Sequence, residues 1–190
     1  MKRFNETFSF SRAGRLSRRR ERAAEAGAVF AVLCTAPIPS AAQDLVFSIE
    51  ITAACIAAAP DMPAKRACIG NAADACMQAT PAGDTTVGMG GCLDRERAYW
   101  DAMLNANYQT ARAQAKAADA EMQEIGATVP SMDAALRDMQ RNWIGYRDAT
   151  CDYERSLWSN GTGAGPATLS CLMRLTGEQA LYLGDAGLAN

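Results

Sequence analysis

Apolar or semi-apolar residues recur along 131–158 at Met132, Leu136, Met139, Trp143, Tyr146, Thr150, Tyr153 and Leu157, at intervals that alternate four and three. That alternation lines one seam of a helix and does not fit a strand, whose apolar period is two. Ser131 after Pro130 supplies an N-cap, and the glycine-rich "SNGTGAGP", 159–166, ends the helix. A second seam runs through Trp100, Leu104, Tyr108, Ala111, Ala115, Ala118, Met122 and Ile125. "GATVP", 126–130, joins the two, and so short a loop makes antiparallel neighbours. Folding about it sets Ala118 level with Met139, Ala115 with Trp143 and Ala111 with Tyr146, small residues against large ones. Trp143 and Tyr146 are therefore expected in the core.

A third helix is expected over about 167–184, with Leu169, Leu172, Met173, Leu175, Ala180, Leu181 and Leu183 apolar. Turning back on the second helix, it brings Cys171 within about one turn of Cys151, which predicts a disulfide between them. Upstream, 45–58 and 63–78 read as a short helical hairpin turning at "PDMP". "TPAGDTTVGMGG", 80–91, reads as a Gly- and Thr-rich connector. The expected fold is all-α: an antiparallel bundle of two long helices plus a third, with an N-terminal disulfide-rich helical hairpin.

Charge divides the chain differently. Residues 1–42 hold eight of its 19 basic and three of its 21 acidic residues, leaving 11 and 18 and a net charge of −7 beyond residue 42. The basic stretch is followed by a short apolar run, "AGAVFAVLCTA", and then by Ser40 and Ala42 in the −3 and −1 places of a signal-peptide site. The reading is a signal peptide over 1–42, cleaved near Ala42, and a periplasmic or secreted chain; the alternative is a basic arm that is kept. The apolar run is too short for a stable membrane span. The expected organisation is the leader 1–42, a cysteine-rich helical module with its connector over 43–91, and a helical domain over 92–190.

Cleavage removes Cys34 and leaves Cys55, Cys68, Cys76, Cys92, Cys151 and Cys171, an even number that in an exported chain reads as three disulfides. On one helix, Cys68 and Cys76 would be separated by about 12 Å of rise, too far to bond. Two pairings of the front four stay open: 55–68 with 76–92, or 55–76 with 68–92. There is no C-x-x-C pair and no histidine, so neither a metal nor another cofactor is expected. Nucleophilic triads likewise lack their usual parts, and no carboxylate pair is marked for glycoside cleavage. The chain reads as a non-enzyme, and its negative charge disfavours nucleic acid.

The segments "CLDRERAYWDAMLNANY", "MQRNWIGYRDATC" and "SCLMRLTGEQALYL" together resemble the LprI-type lysozyme inhibitor domain. The residues that carry the resemblance are Asp101, Leu104, Asn105 and Tyr108; Gln140, Arg141, Trp143, Tyr146, Arg147, Asp148 and Cys151; and Cys171, Leu175 and Thr176. Gln179 stands where the pattern has a basic residue. The resemblance covers about 92–183 and implies an exported, all-helical domain, in some members tied to inhibition of lysozyme.

Candidate binding residues follow. Asp101, Asn105 and Tyr108 share one helix face by their i, i+4, i+7 spacing, to grip a ligand or to hydrogen-bond a neighbouring helix. Arg147 beside Asp148 suits a carboxylate or sugar, or bridges helices. The loop with Asn160, Gly161, Thr162 and Gly163, preceded by Asp152 and Trp158, is the best functional edge: acidic, flanked by an aromatic and held at its base by a disulfide. A plain connector is the alternative. The expected function is a periplasmic binding protein that blocks the cleft of a basic, lysozyme-type muramidase; the alternative is a structural or adaptor module of the cell envelope. The oligomeric state is left open.

Overall fold

The computed structural model describes residues 44–185, which form six helices and no strand. They are α1 (Glu50–Ala58), α2 (Met62–Ala67), α3 (Asn71–Ala79), α4 (Thr86–Glu124), α5 (Met132–Ser156) and α6 (Ala164–Asp185). The expected leader, with Cys34, lies outside the described residues.

The sixth helix is the centre of the molecule. It packs along α4 and against α5, and α2 also rests on it. Its Met173, Ala180, Leu181 and Leu183 join Trp100 and Leu104 of α4 and Ala73 of α3 in one buried cluster. From α5, only the partly buried Leu136, Met139 and Trp143 reach that cluster. Ala111 and Ala115 share a small cleft with Met132, Leu136 and Met139, and Tyr146, expected level with Ala111, is exposed.

The expected front hairpin differs in its second arm. The chain breaks between Cys68 and Asn71, at Gly70, whose φ of +104° is open to glycine at little steric cost. Cys55 bonds Cys68 and Cys76 bonds Cys92, which selects one of the two open pairings, while Cys151 bonds Cys171. The second half of the expected connector is helix: α4 begins at Thr86, capped by the Thr85 hydroxyl, which accepts from Gly88 N–H at 3.1 Å. Gly88 is present for close approach, since a Cβ there would lie 2.3 Å from the Ala82 carbonyl oxygen.

A buried carboxylate ties the front helices to α4. Glu96, fully buried, accepts from Gly70 N–H at 2.8 Å, Ala73 N–H at 2.7 Å, Thr52 Oγ1 at 3.1 Å and Trp100 Nε1 at 3.1 Å. Thr52 in turn accepts from Ala72 N–H at 3.0 Å. The first turn of α3 has no cap from its own N-cap residue. Glu96 and Thr52 satisfy three of its orphan donors from elsewhere in the chain, and the negative charge sits at the positive end of the helix dipole. Burial, and then the charges of Glu96 and Glu50, raise the pKa of the neighbouring Tyr99 phenol.

The α4–α5 junction is also held by acids. Ser131 caps α5, accepting from Ala134 N–H at 3.1 Å, and Asp119 accepts from Ser131 Oγ at 2.7 Å and from the N–H groups of Met132 and Asp133. Arg112 clamps Asp133 with two bonds, of 2.7 and 3.0 Å. The hydrogen bond from Arg112 holds Asp133 below the ordinary carboxylate pKa, and that from Ser131, followed by the two backbone bonds, does the same for Asp119. A depressed folded pKa stabilises above the unfolded value and loses that contribution as pH falls through the folded one. Stability is therefore expected to drop below about pH 4. Urea midpoints measured against pH should fall less steeply there for Asp119→Asn and Asp133→Asn than for the parent.

Candidate functional site

The row on α4 divides. Asn105 Nδ2 donates to its own helix, to the Asp101 carbonyl at 2.8 Å and to Asp101 Oδ2 at 3.2 Å. Tyr108, half-buried, packs at the edge of the core with the Arg112 guanidinium 5.9 Å from its ring. The bonds that cross between helices come from residues outside the candidate binding set. Asn107 Nδ2 donates to the Ala180 carbonyl at 2.9 Å, and the buried Gln179 donates to buried Gln140 at 3.0 Å. Asn107 lies three residues after Leu104 and four before Ala111, on the seam, and that phase was the available signal.

The side chain of Arg147 does not bridge helices. It lies over the Trp143 ring at 5.0 Å and binds Asp148 Oδ1 from Nε at 2.9 Å and from Nη2 at 2.8 Å. This stacked and paired guanidinium is a cation–π arrangement closed within one helix. Trp143 is half-buried, and Tyr146, expected in the core, is 60% exposed. Tyr153 and Leu157, at 65% and 66% exposed, are out as well. A 3.5-residue repeat drifts around a 3.6-residue helix by about 20° per heptad. The Cys151–Cys171 bond pins the covered line of α5 on Arg147, Cys151 and Glu154, one residue away from the seam read from periodicity. Glu154 secures that line by accepting from Arg174 at 2.7 Å.

The turn between α5 and α6 is a built loop. Gly161 N–H donates to the Trp158 carbonyl at 2.8 Å, and Ala164 N–H to the Gly161 carbonyl at 3.1 Å. The Trp158 ring lies across Gly163, where a Cβ would be 2.2 Å from the ring, so any larger residue would displace the indole. Trp158 is still 51% exposed, and Asp152, Asn160, Gly161 and Thr162 are all exposed. The structure gathers these residues around the disulfide-bonded base of the turn, and no hydrogen bond joins Asp101 or Asn105 to them. Among the described residues no cluster of three His, Cys, Asp or Glu side chains is placed to hold a metal ion.

The profile of the family "Lysozyme inhibitor LprI" matches residues 76–183, more than half of the chain. The chain belongs to the LprI family. The LprI match begins at Cys76 and so takes in the Cys76–Cys92 bridge, Glu96 and all three long helices. An uncharacterized protein of Rhizobium meliloti (strain 1021) is 34% identical over 95 residues, covering 50% of this chain and 68% of the relative. An uncharacterized 17.7 kDa protein of Rhodobacter capsulatus is 26% identical over 136 residues, covering 71% of this chain and 83% of the relative. No solved structure matches. The LprI family is named for lysozyme inhibition, a function of binding and not of reaction, and it implies a lysozyme-type partner.

Proposed function

We propose that the protein is exported and inhibits a basic, lysozyme-type muramidase by covering its substrate cleft through protein–protein contact. The observation that carries this reading is the LprI family match over 76–183. Three disulfides suit an oxidising compartment, as does the leader-like N-terminal sequence. No helix among the described residues is long and apolar enough to cross a membrane. The net charge of −7 beyond residue 42 steers the chain toward a basic partner.

Calorimetric titration of the oxidised protein into a basic c-type lysozyme tests the binding. A saturable heat with one-to-one stoichiometry is expected, and an affinity that weakens as salt is raised. No heat at low salt and high concentration would contradict the reading.

A further inference from the structure

We propose that the outer face of α5, from Asn142 to Leu157, is the surface that meets the muramidase; this rests on the inhibitor reading above. Asn142, Gly145, Tyr146, Ala149, Tyr153 and Leu157 recur at helical spacing along one side of α5, and all are exposed. None is charged, in a chain that is 21% charged. Tyr146 and Tyr153 stand two turns apart, about 10 Å along the axis. Exposed tyrosines grouped on an uncharged strip have the composition of an interface centre.

Gly145 is the second observation. A glycine in mid-helix weakens the helix relative to alanine or leucine, and such residues usually have a packing reason. Here a Cβ would meet nothing within 4 Å, so the chain itself provides no such reason. The residue leaves a notch beside Tyr146 that a partner's side chain or backbone fills.

Charge selects the occupant. On α5, Asp133 is held by Arg112, Asp138 by Arg141, Asp148 by Arg147 and Glu154 by Arg174. The side chain of Asp152, exposed and next to Tyr153, has no hydrogen bond or ion pair among the described residues. It is the acid of this helix left for a cation from outside. A basic protein set on the tyrosine strip supplies that cation.

The test is inhibition of a basic c-type lysozyme by the oxidised full chain and two variants, with melting temperatures measured in parallel. Tyr146→Ala combined with Tyr153→Ala is expected to fold, because both side chains are mostly in solvent, and to weaken inhibition at least about tenfold. Gly145→Leu is expected to raise the melting temperature and still weaken inhibition at least about tenfold, because it fills the notch. Loss of inhibition with gain of stability separates a contact role from a structural one. A parent that inhibits, with both variants equal to it, overturns the α5 face and leaves the inhibitor reading standing. A parent that does not inhibit overturns both.

Discussion

Replacing Glu96 by alanine is expected to destabilise the protein by about 3–5 kcal/mol, because it leaves several buried donors without their acceptor. Four donors converge on this carboxylate, two of them backbone N–H groups at the start of α3. None reaches solvent when the acceptor is gone, and a buried donor without a partner costs about 1–3 kcal/mol. Burying the carboxylate has its own desolvation cost, but that cost is already offset by the four bonds in the folded protein. Glu96→Gln keeps the volume and one acceptor oxygen while turning an amide N–H₂ toward donors, so about 1–3 kcal/mol is expected for it. Urea unfolding at neutral pH measures both. A change below about 1 kcal/mol for the alanine variant would mean that α3 is not held by Glu96.

Reduction of the three disulfides is expected to have a larger effect still. They close loops of 13, 16 and 20 residues, and each closure is worth about 3 kcal/mol in the chain-entropy model. Together they supply about 9 kcal/mol, comparable to the whole stability of a typical domain. Two of the bonds tether the small helices, whose apolar burial is slight: α1 buries only Thr52 and α2 buries no residue. The reduced protein should lose most of its helical circular dichroism at a urea concentration far below the oxidised midpoint. The loss should begin in α1–α3. A reduced protein that melts within a few degrees of the oxidised one would show that the helix packing alone holds the fold.

Much of this fold is legible in the sequence, because it rests on local period. The long helices, the Ser131 cap and the Cys151–Cys171 bridge all follow from spacing along one segment or across one short turn. The front pairing is not legible, because it depends on the break at Gly70, and a glycine before asparagine reads equally as helix interior or as a left-handed stop. Gly83 and Gly88, within 80–91, look like flexibility and are in fact sites of close backbone approach, a distinction made only by what packs there. Glu96 is one of two acids in "LDRER", yet it falls four residues before Trp100, in phase with the seam. An acid in apolar phase was the signal.

The candidate site was less legible than the fold. Asp101 with Asn105 and Arg147 with Asp148 are chemically suggestive pairs that the structure closes on themselves. Tyr146, Tyr153 and Leu157 all fit the heptad, and Tyr146 is expected in the core on that ground, whereas the disulfide rotates the covered line by one residue and leaves all three in solvent. A repeat of four and three does not say which of two adjacent lines faces the partner helix, and that ambiguity hid the exposed tyrosines.

The most direct test of the account is the rate at which a basic c-type lysozyme clears a suspension of cell walls as the oxidised protein is titrated in, at low and near-physiological salt. The account predicts saturable inhibition at low salt that weakens, without vanishing, as ionic strength rises. Full lysozyme activity at a large excess of inhibitor, at both salt concentrations, would contradict it.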